Sequence, residues 1–318
     1  MTPSEIAGLF PKATKIALVT DSNVDRFHGD RVVREIESGG IRVDRIVVPA
    51  GEQTKTLESY QKLVRAFAAF EMTRSDAVVA LGGGVVGDLA GFAAATYMRG
   101  IAFVQIPTTL LAMVDSSIGG KTGVDLPEGK NLVGAFHLPS AIVRDCAFLE
   151  TLPENEMMNG YAEMIKTAVL FDPELFAAMK KRPSGADLSA AVERCARLKL
   201  EVVAADFREA GRRMLLNLGH TFGHAVEQVS GFAVPHGEAV AIGMRIVSRE
   251  VPEVAEILDI YGFGTLESAG FNDAREELLA AVARDKKRCG GSVTLVVPKA
   301  IGECRLVETP LAELERWL

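Results

Sequence analysis

Two histidines four positions apart, His220 and His224, share one face if their segment is helical, and His236 follows Pro235 at a predicted helix start. The chain has five histidines, so three between positions 220 and 236 form a cluster. Neutral imidazoles beside a carboxylate make a donor set for a borderline divalent metal such as zinc. Glu163, on an earlier helical segment, and Glu238 compete for the acid's place, and spacing does not decide between His220 and His224. A single histidine of this kind is ordinarily a polar helix position or a hydrogen-bonded core residue; the clustering points to a site.

A second group surrounds Gly82-Gly83-Gly84-Val85-Val86-Gly87-Asp88, which follows a predicted strand and opens a helix. Glycines let a backbone approach a pyrophosphate, and a helix start offers unpaired N–H groups and partial positive charge. The same glycines would also serve a tight strand-to-helix turn. Asp21-Ser22-Asn23 ends the first strand, where an acid can accept a ribose hydroxyl's hydrogen bond or simply cap a helix. Gly51-Glu52-Gln53-Thr54-Lys55 ends the second in the same way.

The third group is cationic. Asp115-Ser116-Ser117-Ile118-Gly119-Gly120-Lys121-Thr122-Gly123 is rich in small residues, Lys130-Asn131 follows, and Arg99, Lys166, Lys199, Arg213, Lys286 and Lys287 are further candidates for holding phosphate or carboxylate. The run through Lys121 is not a P-loop, because the frame requires glycine where Asp115 stands.

These groups need elements to position them. In the first half, strands predicted at 16–20, 41–48, 77–81, 101–106 and 141–143 are separated by helical patterns such as Leu57 to Phe70. Alternation of that kind predicts a parallel sheet covered by helices, with ligands beyond the carboxyl ends of the strands. After Leu152-Pro153 the pattern turns helical: Glu154 to Phe171, Pro173 to Lys181, Leu188 to Ala205, Arg212 to Val229 and His236 to Arg249. The helical span closes near Arg288, and Ser292 to Val297 with Cys304 to Val307 suggest a terminal hairpin. The expected organisation is an α/β Rossmann-like domain over 1–152, binding a dinucleotide of the NAD type, and a helical domain over 153–318, binding metal and substrate.

Composition bounds the partners. Of 318 residues 48% are hydrophobic and 24% charged, and the net charge is -7 without a dense basic block, which argues against nucleic acid. The apolar stretch Ile101 to Val114 is too short for a bilayer. Met1 to Lys12 lacks a basic start and apolar core, so no signal peptide is expected, and four scattered cysteines suit a cytoplasmic protein.

Read in order, these residues resemble the dehydroquinate synthase family from Asp21 to about Pro298. The resemblance is densest in GGGVVGD at 82–88, MVDSSIGGKTGVDLPEGKNLVGAFHLP at 113–139, YAEMIK at 161–166, LNLGHTFGHAVE at 216–227 and PHGEA at 235–239. It implies Glu163, His220 and His236 as ligands of Zn²⁺ or Co²⁺, leaving His224 for substrate. It implies NAD held by Asp21, Asn23, Gly51, Glu52, Gln53, Thr54, Lys55, Gly84, Val85, Val86, Gly87, Asp88, Thr108, Thr109, Lys121 and Lys130. The turn Phe148, Leu149, Glu150 and Thr151 completes that set.

For the substrate's phosphate and carboxylate the resemblance implies Arg99, Asp115, Lys121, Asn131, Lys166, Lys199, Glu209, Arg213, Asn217, His224 and one of Lys286 or Lys287. The implied reaction converts 3-deoxy-D-arabino-heptulosonate 7-phosphate to 3-dehydroquinate and phosphate by transient oxidation, elimination, reduction and aldol closure. Members of the family are commonly homodimers. The competing readings are a sister cyclase making a cyclitol, whose substrate lacks the carboxylate that Lys199, Arg213 and Asn217 would meet, and a metal-dependent polyol dehydrogenase. A non-enzymatic NAD-binding module would leave the histidine cluster without a purpose.

Overall fold

The computed structural model describes residues 1–208, 211–286 and 291–318, the side chains of Asp285 and Lys286 excepted. The chain forms two compact units, Met1–Pro153 and Glu154–Leu318.

In the first unit a short helix α1 (Ile6–Leu9) precedes strand β1 (Lys15–Asp21), followed by α2 (Ser22–Val24), α3 (Asp30–Glu37), β2 (Arg42–Val48), α4 (Leu57–Ala69), β3 (Ala77–Gly82), α5 (Gly84–Thr96) and β4 (Ala102–Pro107). Strands β5 (Lys121–Leu126), β6 (Gly129–Phe136) and β7 (Ala141–Ile142) complete it. Five strands form one parallel sheet in the order β2-β1-β3-β4-β7. β3, with every residue buried, is apolar on both faces because helices cover both sides of its sheet. One core joins Ala17, Val19, Val78, Leu63, Phe67, Leu89 and Phe103. Just before β3, Asp76, fully buried, accepts from the backbone of Thr14 (2.9 Å), Lys15 (3.0 Å) and Thr73 (2.7 Å) and from the Thr73 hydroxyl (2.8 Å).

Helix α5 lies close on β4 and β5 because two of its three glycines face them. A methyl at Gly87 would stand 2.6 Å from Gln105 Oε1, and one at Gly91 2.5 Å from Thr122 Cγ2. The pair β5–β6 is an antiparallel hairpin for which the sequence reading had no counterpart. Its strands meet at Gly123 and Gly134, where a Cβ on the latter would lie 2.1 Å from Thr122 O.

The second unit is built from α6 (Glu154–Phe171), α7 (Pro173–Met179), α8 (Gly185–Ala205), α9 (His220–Val229), α10 (His236–Val247), α11 (Pro252–Tyr261) and α12 (Arg275–Lys286), then a hairpin of β8 (Ser292–Ala300) and β9 (Glu303–Pro310). The single helix expected from Arg212 to Val229 is two elements: a 3₁₀ turn, Arg212–Asn217, and α9. Gly219 separates them with φ 77°, a left-handed conformation that costs glycine nothing. Glycine is needed there for a second reason, because a Cβ at Gly219 would sit 2.6 Å from Val240 O on α10. The approach is reciprocal, since a Cβ at Gly243 of α10 would fall 1.9 Å from Gly219 O. Gly237 brings the start of α10 equally close to α6, with Asn159 Cα 2.6 Å from its absent Cβ. Among the described residues, no helix is long and apolar enough to cross a membrane.

Candidate functional site

Those glycine contacts set three side chains against each other: Glu163 on α6, His220 at the first position of α9 and His236 at the first position of α10. One donor atom from each lies within 4.8 Å of the others. Glu163 Oε1 is 3.5 Å from His220 Nε2 and 3.4 Å from His236 Nε2. Donors bonded at 2.0–2.1 Å to a tetrahedral ion are separated by about 3.3 Å, so these spacings suit a shared cation. Both oxygens of Glu163 are buried without a hydrogen bond of good geometry, although Lys166 Nζ lies against Oε2 as an ion pair.

The far side of each ring is engaged as well. His220 Nδ1 is 3.1 Å from Leu218 O, and His236 Nδ1 is 3.3 Å from Glu227 Oε1. An acceptor at Nδ1 favours the proton there and leaves the Nε2 lone pair facing Glu163, the tautomer a metal ligand requires. Burial would raise the Glu163 carboxyl, but Lys166 and the imidazoles outweigh it and hold it well below the usual range. Burial, with Lys166 next, pushes His220 down to about 3. Burial also lowers His236, yet Glu163 and Glu227 prevail and push it up to about 10, so a cation entering here displaces a proton.

His224, one turn on, is exposed, its ring 5.4 Å from that of His220 and 6.5 Å from that of His236. Glu238 faces elsewhere: its Oε1 accepts from Gly264 N at 2.6 Å. Helices α6 and α8 both pack on the turn that carries Arg213 and Asn217. Lys166 and Lys199 are buried on those helices, and buried Arg213 donates through Nη1 to Phe207 O at 2.7 Å. Glu209 and Lys287 lie outside the described residues, as does the side chain of Lys286.

In the first unit the parallel register settles where the other segments go. Asp21 pairs with Val48, Thr20 with Leu81 and Gly82 with Pro107, so the segments after β1, β2, β3 and β4 leave from one edge of the sheet. That edge gathers Asp21 to Asn23, Gly51 to Lys55, Gly84 to Asp88, and Thr108 with Thr109. Asp21 Oδ1 caps α2, accepting from Asn23 N at 2.8 Å and Val24 N at 3.1 Å. Gly51, at φ 108°, opens a 3₁₀ turn over Glu52–Thr54. The first turn of α5 holds Gly84, Val85, Val86 and Gly87; Val86 packs into the core, and Gly87 is needed against Gln105. Thr108 Oγ1 is buried without a partner, which leaves polar capacity beside an uncovered helix start. A Cβ at Gly84 would stand 3.0 Å from Ser116 Oγ, so the third glycine packs the turn against the Ala112–Ser116 segment as well as keeping it open.

Lys55, which ends the segment after β2 and which the resemblance places in the NAD set, has partners within its own unit. Its Nζ pairs with Asp88 Oδ2 at 2.6 Å and donates to Asn131 Oδ1 at 2.5 Å. Asn131, with φ 57°, is held by its own N–H on Asp125 Oδ1 at 2.6 Å, and Asp125 N in turn donates to Lys55 O at 2.8 Å. The unforeseen hairpin is thereby tied to the end of β2. Lys130 Nζ stands 3.9 Å from Glu52 Oε1. A cavity of about 460 Å³ is lined here by Glu52, Gln53, Lys55, Leu57, Asp125 and Pro127. Burial raises Asp88 to about 6 against the pull of Lys55.

The remaining positions are more dispersed. Phe148, Leu149, Glu150 and Thr151 form a 3₁₀ turn capped by Asp145, with His28 Nε2 2.7 Å from Thr151 Oγ1 and Arg31 4.7 Å over the Phe148 ring. Arg99 is exposed at φ 70°, Lys121 opens β5 and Asp115 is half-buried in a turn. Glu227 and His28 escaped the sequence reading. For Glu227 the signal was present, because it continues the helical spacing of His220 and His224.

The 3-dehydroquinate synthase N-terminal family model matches residues 45–159, and the 3-dehydroquinate synthase C-terminal model matches 160–288. A 3-dehydroquinate synthase of Caulobacter vibrioides is 44% identical, covering 94% of this chain and 86% of its own length. One of Latilactobacillus sakei is 42% identical, covering 96% and 88%. Among solved structures, a 2-epi-5-epi-valiolone synthase of Streptomyces hygroscopicus with NAD⁺ and Zn²⁺ bound superposes with a TM-score of 0.87 at 28% identity, over 99% of this chain and 92% of that one. A probable glycerol dehydrogenase of Sinorhizobium meliloti, at 16% identity and TM-score 0.63 over 91% and 87%, shares the fold. Matched in both halves, the chain belongs to the 3-dehydroquinate synthase family.

Proposed function

We propose that this chain converts 3-deoxy-D-arabino-heptulosonate 7-phosphate to 3-dehydroquinate and phosphate, using NAD⁺ and Zn²⁺ or Co²⁺. The observation that carries the metal requirement is the convergence of Glu163 Oε1 and two imidazole Nε2 atoms at 3.5 and 3.4 Å. The relatives named as synthases along nearly the whole chain support the substrate. When bound, the cation polarises an alcohol oxygen and the nicotinamide takes up and returns a hydride, so NAD⁺ is regenerated in each turnover.

The protein's own groups do the rest. Glu163, His220 and His236 hold the cation, and His224 beside them reaches the substrate. Arg99, Lys121, Asn131, Lys166, Lys199, Arg213 and Asn217 meet the phosphate and carboxylate with fixed charges and amide dipoles that need no reorganisation as charge develops. The first turn of α5 and the segments after β1, β2 and β4 hold the dinucleotide. We further propose a homodimer working in the cytoplasm.

The test is incubation with the heptulosonate phosphate, a trace of NAD⁺ and Zn²⁺. Phosphate release over many turnovers per NAD⁺, without accumulating NADH, is expected. Stoichiometric NADH, or turnover of a simple polyol, would assign the chain to polyol oxidation instead.

A further inference from the structure

Glu227 belongs to none of the groups assigned so far, yet it stands directly behind one of the proposed ligands. It lies on α9, two turns beyond His220, largely buried, with Oε1 3.3 Å from His236 Nδ1. The backbone carbonyl of Glu227 separately accepts from Phe232 N at 2.7 Å and Ser230 Oγ at 3.0 Å, so the end of α9 is closed without help from the side chain. Nothing in the capping of the helix requires a carboxylate here.

The two imidazoles are backed unequally. His220 gives Nδ1 to a neutral carbonyl, fixed by the chain itself at Leu218. His236 opens α10 after Pro235, and among the described residues no backbone acceptor meets its Nδ1; the acceptor comes from another helix. A ring at a helix start that is free to turn about χ2 presents either nitrogen. A charged acceptor on one side selects the Nδ1–H tautomer and aims Nε2 at Glu163.

We propose that Glu227 is a positioning residue for the divalent cation: it holds the His236 ring so that Nε2 is the ligand atom, and its charge makes that nitrogen a stronger donor. This rests on the reading of Glu163, His220 and His236 as metal ligands.

The test measures metal binding directly, by competition of purified protein with a chromophoric chelator for Zn²⁺ and by the visible absorption of the Co²⁺ form. Glu227→Ala removes the acceptor; Glu227→Gln keeps an oxygen for Nδ1–H and loses the charge. Outer partners of metal ligands are typically worth about 10- to 100-fold in affinity. Glu227→Ala should weaken Zn²⁺ by that range and alter the Co²⁺ spectrum, with Glu227→Gln clearly tighter than Ala. Wild-type affinity in the Ala variant, or equal loss in both variants, overturns the proposal. His236→Ala tests the ligand set itself: if it binds Zn²⁺ as wild type does, the metal reading fails, whatever the Glu227 variants show. Thermal unfolding of each apo variant guards against a loss that merely reports misfolding; if Glu227→Ala does not fold, Glu227→Gln decides, and a wild-type Zn²⁺ affinity with an unchanged Co²⁺ spectrum in that variant overturns the proposal.

Discussion

Lys55 and Asp88 offer a double-mutant cycle whose size and pH dependence both follow from the structure. Lys55 is 4% exposed, with Asp88 Oδ2 at 2.6 Å and Asn131 Oδ1 at 2.5 Å from its Nζ. Lys55→Met keeps the stem and removes the charge, leaving Asp88 without its cation. Breaking a buried pair on one side costs about 3–5 kcal/mol. The Asp88 side chain keeps 22% of its exposure, so water recovers part of that, and about 2–3 kcal/mol is the reasoned loss. At about 2–4 °C per kcal/mol this lowers the melting temperature by roughly 5–10 °C.

The pH course fixes the sign. Burial lifts Asp88 from 3.8 to about 6, so the folded state keeps a proton that the unfolded chain releases, and its contribution to stability falls as pH rises across that window. Without Lys55 the carboxyl rises further and the decline extends to higher pH. Asp88→Asn abolishes this slope, and Lys55→Met/Asp88→Asn should be more stable than the sum of the single losses predicts. Melting curves of all four proteins between pH 4 and 8 measure it. Single losses that add within about 0.5 kcal/mol, or pH slopes identical in the four, would refute the coupling.

Other outcomes are equally checkable. Gly243→Ala places a methyl 1.9 Å from Gly219 O, so α9 and α10 must part; overpacking of this kind costs about 1–3 kcal/mol, and Zn²⁺ affinity should fall with it in a chelator titration. Asp76→Ala strands the amides of Thr14, Lys15 and Thr73, a loss of about 3 kcal/mol or more in denaturant unfolding. In the parent, burial would raise Asp76, but its hydrogen bonds hold it below the usual value, so its contribution is present at neutral pH and lost on acidification. Arg213→Ala should reduce turnover of the heptulosonate phosphate roughly tenfold or more without changing NAD⁺ affinity in a fluorescence titration.

Periodicity was a good guide wherever one element was apolar on a repeating face. β1, β3, β4, α4 and α6 are continuous hydrophobic runs or stripes, and their positions were readable within a residue or two. It failed where backbone contact overrode the pattern. Arg212 to Val229 keeps a helical rhythm through Gly219, but the chain turns left-handed there, at a glycine whose close approach to α10 leaves no room for a Cβ. The β5–β6 hairpin was invisible because its strands meet through Gly123 and Gly134, with no alternating side chains to announce them. In the candidate site, spacing brought out the histidines and left Glu163 and Glu238 competing for the acid's place; Glu163 is distant in sequence, and the resemblance chose between them. The partners of Lys55 depend on contacts between elements that no local pattern encodes, and the spacing that puts Glu227 on the face of His220 does not say that it meets His236.

The glycine contacts between α9, α10 and α6 bear on what a cation does for this unit. In small zinc domains the ion is a staple, and the apo chain is unfolded. Here the helices that carry His220, His236 and Glu163 meet backbone to backbone, at distances fixed by hard contact and not by a shared ion. The second unit is thus a rigid jig, already cut to the spacing of the donors. Stripping the metal should leave far-UV circular dichroism unchanged, and rebinding should follow the exchange of a proton at His236 without waiting for a fold to form. For a unit built in this way, the free energy of binding the ion is not consumed in folding the chain around it.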